Sequence, residues 1–308
     1  MDQPVLQGII PIVITPFDAD GRLDESSLRR VVRFELEGGI HGLGVGGFAS
    51  EAYKLTDAER KRCAEIVAEE VNGRVPLIIG IAPGSTEFAI AQAEAYAPLR
   101  PAALMTLPPA TIKMDEHVLT DFYVEFGSAS PVPIMVQQSP HIQGYSGCLL
   151  KPESLARIAQ RCPNVLYFKI EGPGSARRLG ALRSRVRDDV ALFGGVGGIA
   201  LRDELREGAA GLLPGVGFNE FFVDVWKAWK ENDLLAVETI LGQAQALVEA
   251  VSGNGHEYSL HARKFLLQRV GIIDHMYVRR PTTRPEPTAL DSLGWLVDSL
   301  GLRISRRQ

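Results

Sequence analysis

Val165-Leu166-Tyr167-Phe168-Lys169-Ile170-Glu171 is a short apolar run broken by one ammonium and closed by a carboxylate. Its β-branched and aromatic residues predict a strand, and apolar character on both faces predicts a strand buried in a parallel sheet. Working outward, similar runs fall at Gly8 to Thr15, Gly42 to Gly46, Pro76 to Ile81, Ala102 to Thr106, Val132 to Gln137, Val190 to Phe193 and Gly211 to Pro214. The strand around Lys169 is then the span Asn164 to Lys169, sixth of eight. Helical patterns separate the strands: Glu25 to Glu37, Asp57 to Val71, Thr86 to Ala97, Glu116 to Phe126, Pro152 to Gln160, Ser175 to Val186 and Ala200 to Glu207. Thr56 and Glu59, three apart ahead of an amphipathic run, form a capping box that sets the start of the second helix. Alternation of this kind belongs to α/β proteins, and eight units close into a (β/α)8 TIM barrel. An open doubly wound sheet is the rival, but no GxGxxG turn follows the first strand.

Beyond the barrel, Phe221 to Glu231, Leu234 to Val251, Ser259 to Gly271 and Thr288 to Leu300 read as additional C-terminal helices. The expected division is a barrel over residues 1–231 and a helical extension over 232–308 packed on it. The 33 basic and 37 acidic residues give a net charge of -4, without the basic excess of a nucleic-acid binder. A small-molecule partner is expected instead. Cys63, Cys148 and Cys162 are odd in number and contain no CxxC pair, so neither a disulfide framework nor structural zinc is expected. The six histidines show no metal-binding spacing, and no metal is expected. Residues 1–10 carry no export signal, and no window holds eighteen consecutive apolar residues. A cytoplasmic protein with no membrane span is the expectation.

Seven of the eight lysines (Lys54, Lys61, Lys113, Lys151, Lys227, Lys230, Lys264) lie in polar loops or on helices with polar faces, and Lys169 alone sits in an apolar strand. Burying an ammonium is costly unless it is paired or neutralised. Burial also lowers a lysine pKa, and the neutral amine is what attacks a carbonyl to form a Schiff base. A strand repeats every two residues, so Lys169 and Glu171 share a face at the C-terminal strand end, where such barrels place their chemistry. Glu171 is read either as a proton-transfer group or as the ion-pair partner of Lys169. The run Gly194 to Gly198 after the seventh strand is read as a phosphate cradle or as a tight turn in which Gly195 opens room for substrate.

Three further segments complete a pattern: Gly8-Ile9-Ile10-Pro11-Ile12-Val13-Ile14-Thr15-Pro16-Phe17, then Gly47-Phe48-Ala49-Ser50-Glu51 with Leu55-Thr56, then Pro133-Ile134-Met135-Val136. Together with Lys169 on the sixth strand, they resemble the dihydrodipicolinate synthase and N-acetylneuraminate lyase superfamily across nearly the whole chain. The resemblance implies a TIM barrel and a class I lyase that binds a 2-oxo acid as an imine on Lys169. No cofactor is then needed beyond the lysine imine, and the resemblance also implies a homotetramer.

Departures from that pattern narrow the chemistry. The carboxylate-binding loop, usually GTTGE-like, carries Phe48 and Ala49, leaving backbone N–H groups and the Ser50 hydroxyl to hold the substrate carboxylate. Gln137, in Val136-Gln137-Gln138-Ser139-Pro140, stands where the family has its catalytic tyrosine, and no arginine follows in His141-Ile142-Gln143-Gly144. Lysine biosynthesis is therefore not expected. The combination of Ser-Glu, Ile-Met-Val-Gln and Tyr-Phe-Lys-Ile-Glu resembles the 2-keto-3-deoxy-L-arabonate dehydratase branch, although an Asp would be expected at Gln138. Retro-aldol cleavage needs a base at the C4 hydroxyl, usually the missing tyrosine, so its absence tilts the expectation toward dehydration of a 2-keto-3-deoxy sugar acid. The alternatives are a pyruvate-dependent aldolase and a catalytically silent barrel that binds a 2-oxo acid.

Overall fold

The structure is a computed structural model that describes residues 6–82 and 84–300. Residues 1–5, half of the segment expected to lack an export signal, lie outside them. The strands are β1 (Gly8–Ile9), β2 (Leu43–Val45), β3 (Leu77–Ile81), β4 (Ala103–Thr106), β5 (Ile134–Gln138), β6 (Val165–Ile170), β7 (Ala191–Gly194) and β8 (Gly211–Leu212). Each is followed by a helix: α1 (Glu25–Glu37), α2 (Asp57–Val71), α3 (Thr86–Tyr96), α4 (Glu116–Ala129), α5 (Pro152–Arg161), α6 (Ser175–Arg183), α7 (Leu201–Arg206) and α8 (Glu220–Lys230). Three more helices close the described chain: α9 (Leu234–Ser252), α10 (His256–Arg269) and α11 (Pro287–Ser299). This is the element order of a (β/α)8 barrel with additional C-terminal helices.

The chain divides into two compact units, Met1–Gly8 with Pro76–Leu213, and Ile9–Val75 with Pro214–Gln308. Within the first, β3 to β8 lie side by side in chain order, paired in parallel. Gln137 pairs with Lys169 and Lys169 with Phe193. Partners in a parallel ladder share a face, so these three side chains stand on one side of the sheet. Phe168 and Ile170, of opposite parity, are buried on the other. The sheet is thus apolar on both faces, and Lys169 is the charged exception within β6.

In the second unit, α1 starts because the Asp24 side chain accepts the Ser27 N–H at 3.0 Å, and it buries Leu28, Val31 and Val32. The capping box forms at α2: Glu59 N–H donates to the Thr56 hydroxyl at 3.2 Å and Thr56 N–H to the Glu59 carboxylate at 2.9 Å. The first strand is shorter than the expected Gly8 to Thr15, and beyond Ile9 only Ile12 bridges Gly44 and Gly215. Pro11 supplies no N–H for a continuous ladder. Among the described residues α9 alone is long and apolar enough to cross a membrane, by length and composition. It packs against α8, α10 and α11 and buries Val237, Ala244, Leu247, Val248 and Val251.

Glu35 on α1 is fully buried. It accepts the Gly217 N–H at 2.9 Å and the Asn219 side-chain amide at 2.8 Å. Burial pushes its carboxyl up to about 7, against the opposing pull of Asn219.

Candidate active site

In the first unit the C-terminal ends of β5, β6 and β7 bring Gln137, Ser139, Lys169, Glu171 and Gly195 together. Lys169 and Glu171 are each 5% exposed, and the Lys169 Nζ lies 3.3 Å from the Glu171 Oε1. The other carboxylate oxygen, Oε2, accepts from the Gln137 amide at 2.7 Å and the Ser139 hydroxyl at 2.5 Å. Gln137 also donates to the Ser139 hydroxyl, at 3.0 Å. Val196 N–H completes the set by donating to Oε1 at 3.2 Å.

Burial alone would raise the Glu171 pKa. Together the Lys169 ammonium, His141, Ser139 and Gln137 outweigh it and hold the carboxyl down at about 2. Glu171 is therefore a carboxylate at neutral pH, fixed by donors on every side.

Gly195 is close enough that a methyl group there would lie 2.2 Å from the Glu171 Oε1. Its missing side chain makes room for the Glu171 carboxylate itself. Gln138 faces the opposite way from Gln137: its Oε1 accepts the Leu150 N–H at 2.8 Å, so it holds the chain that returns to α5. Ser139 was not singled out from sequence, although it lies in the quoted run before Pro140 and touches both Gln137 and Glu171.

The second unit holds the loop Phe48-Ala49-Ser50-Glu51. Residues Phe48–Ser50 form one 3-10 turn and Ala52–Lys54 another, with Glu51 between them in the left-handed region at φ 52°. Ser50 is fully buried, and its hydroxyl donates to the Val13 carbonyl at 2.5 Å while accepting the Gly46 N–H at 3.0 Å. That hydroxyl holds the loop to the first strand segment. Phe48 packs edge-on against Tyr53 and His256, with ring centroids 6.2 and 5.6 Å away, and Ala49 is half-buried.

Glu51 contradicts one reading of the sequence. Its carboxylate accepts from the Lys264 ammonium at 2.5 Å, and Lys264 also donates to the Tyr277 carbonyl at 2.7 Å. Lys264 is fully buried over the Phe17 ring rather than on a polar helix face, and Lys54 is nearly buried beside Glu51 and Glu257. Burial brings the Lys264 pKa down to about 8, against the pull of Glu51. Lys169 is thus not the only buried lysine. The two differ in what they can do: Lys264 is tied to a carboxylate, a carbonyl and a ring face, whereas Lys169 sits at a strand end beside the Glu171 carboxylate and across from Gln137. Among the described residues no group of three or more His, Cys, Asp or Glu could hold a metal ion.

Comparison with known proteins shows the family. Residues 5–299 match the Dihydrodipicolinate synthetase family. The chain is 32% identical over 288 residues to the L-2-keto-3-deoxyarabonate dehydratase of Azospirillum brasilense, spanning 92% of this chain and 91% of that one. It is 27% identical over 298 residues to a probable 2-dehydro-3-deoxy-D-pentonate aldolase of Escherichia coli (strain K12), spanning 96% and 97%. Among solved structures, the dihydrodipicolinate synthase of Rhodopseudomonas palustris superimposes with a TM-score of 0.86 at 23% identity, covering 96% of this chain and 98% of that one, which shows the shared barrel fold. With the family matched over nearly its full length and relatives bearing dehydratase and aldolase names, the chain belongs to the dihydrodipicolinate synthetase family and is a lyase.

Proposed function

We propose that this lyase works through an imine on Lys169 and dehydrates a 2-keto-3-deoxy sugar acid, needing no cofactor and acting as a cytoplasmic homotetramer. The observation that carries the reading is the pairing of Lys169 with Glu171 on one strand face, with Gln137 at the place of the family's tyrosine. The Lys169 amine adds to the C2 carbonyl, and loss of water gives the imine. Once protonated, the imine draws electrons from C3, so a C3 proton leaves and an enamine forms. Expulsion of the C4 hydroxyl with a proton then releases a second water and leaves a C3=C4 double bond. A C5 proton leaves and C3 is protonated, and the resulting enol gives up its hydroxyl proton as C4 takes one to make the C5 aldehyde. Hydrolysis returns the amine with every carbon retained. Glu171 is the group that moves the proton between these positions, while Ser139 and Gln137 hold its carboxylate toward the lysine. No tyrosine stands at position 137 to deprotonate the C4 hydroxyl, which supports dehydration over cleavage.

The test is borohydride reduction in the presence of pyruvate, followed by peptide mass mapping and product analysis with 2-keto-3-deoxy-L-arabonate. The adduct is expected on Lys169, Lys169→Ala is expected to lose both trapping and turnover with its fold intact, and the product is a semialdehyde of full carbon count. An adduct on Lys264 would overturn the imine assignment. Pyruvate and a two-carbon aldehyde in equal amounts would make the enzyme an aldolase.

A further inference from the structure

A second carboxyl lies behind the same strand end, and sequence reading did not single it out. Glu204 on α7 is 1% exposed. Its Oε1 accepts the Ser175 hydroxyl at 2.6 Å, while its Oε2 has no hydrogen-bond partner among the described residues. That oxygen rests on Gly194, where a methyl group would lie 1.7 Å away. Successive residues of an extended chain face opposite sides. Gly194 and Gly195 therefore receive two carboxyls, Glu204 from behind and Glu171 from in front. We propose that Glu204 is a positioning residue for the imine chemistry, a buried proton-exchanging carboxyl whose charge, set across the Gly194–Gly195 backbone, controls how tightly the Lys169–Glu171 pair holds its proton.

A buried carboxyl with one oxygen unsatisfied resists ionisation. Burial, opposed by Ser175 and reinforced by the charge of Glu171, pushes Glu204 up to about 7. The charged groups around it are Glu171 at the end of β6, Arg178 on α6 and Asp203 on its own helix, and Arg178 alone favours the ionised form. Coupling between two ionisable groups is mutual, so ionised Glu204 acts on Glu171 as Glu171 acts on it. A charge felt by that carboxylate is also felt by an ammonium 3.3 Å from it. As pH rises through about 7, Glu204 gains its negative charge beside the Lys169–Glu171 pair.

This inference rests on the reading that Lys169 forms the imine. The experiment measures initial rates of pyruvate trapping by borohydride from pH 6 to 9.5 in the full chain, in Glu204→Gln and in Ser175→Ala, with the adduct mapped in each. Glu204→Gln is neutral at every pH. Ser175→Ala removes the hydrogen bond that favours ionisation, so Glu204 stays protonated further up the scale. Both profiles are expected to move toward lower pH, with trapping at pH 8 faster by roughly threefold for Glu204→Gln and less for Ser175→Ala, and with no difference near pH 6. Packing alone would change the amplitude and leave the profile in place. Profiles that superimpose on the parent after scaling, with the adduct on Lys169, overturn the role of Glu204 alone. An adduct on another lysine overturns the imine reading and this inference with it.

Discussion

Glu171 is the residue whose role the geometry sharpens most. Ser139, Gln137 and the Val196 N–H donate to its carboxylate, Lys169 pairs with it at 3.3 Å, and its pKa is held at about 2. So strong a stabilisation makes a weak base at rest, and Glu171 takes up a proton only when Lys169 gives up its own. Glu171→Gln separates proton transfer from pairing. The amide keeps the size of the carboxylate but cannot exchange a proton, so borohydride trapping on Lys169 should persist. Turnover should fall by about 10²-fold or more, as for loss of a general acid–base group. Steady-state rates of semialdehyde formation check this, and turnover near the parent value would leave Glu171 as a pairing group only. Lys169 and Glu171 were legible in the sequence because a period of two places them on one strand face, and Gln137 because the family resemblance marks its position. Glu204 and Ser175 were not, because they meet across 29 residues and their significance lies in the space left by a glycine.

Among the elements, α1 offers a direct measurement of how a buried carboxyl shapes stability. Glu35 is raised to about 7 in the folded chain, against an ordinary value of 4.5. Between those values the folded state binds more protons than the unfolded state, so stability falls as pH rises from about 4.5 to about 7. Glu35→Gln removes this dependence. If the Asn219 side chain turns, its Oδ1, which has no partner as placed, can accept the new amide. Relative to the parent, the variant should be more stable at pH 8 than at pH 5 by about 2 kcal/mol, as read by denaturant unfolding at the two pH values. A difference independent of pH would show that Glu35 is ionised throughout. The ends of α1 and α2 could be read from sequence because their caps are local, Asp24 with Ser27 and Thr56 with Glu59. By contrast, α10 begins at His256 rather than the expected Ser259, and the burial of Lys264 depends on Glu51, far away in the chain. Periodicity within one helix carries no trace of such a partner.

For the whole molecule, large apolar side chains remain open on a loop and two helices: Ile112 before α4 is 65% exposed, Trp295 on α11 70% and Leu235 on α9 79%. Exposed apolar surface on a folded protein marks places where further association is favourable. Sedimentation velocity is expected to show a species of four chain masses, and a single chain mass at micromolar concentration would refute the tetramer. A different consequence follows from the ion pair between Glu51 and Lys264, which lie 213 residues apart. A ribosome adds about 5–20 residues per second, so Lys264 leaves it roughly 10–40 s after Glu51. Throughout that interval the carboxylate lacks the ammonium beside which it is finally buried, and the nascent loop after β2 cannot settle into its mature form. The lyase acquires the finished loop only once α10 has been made.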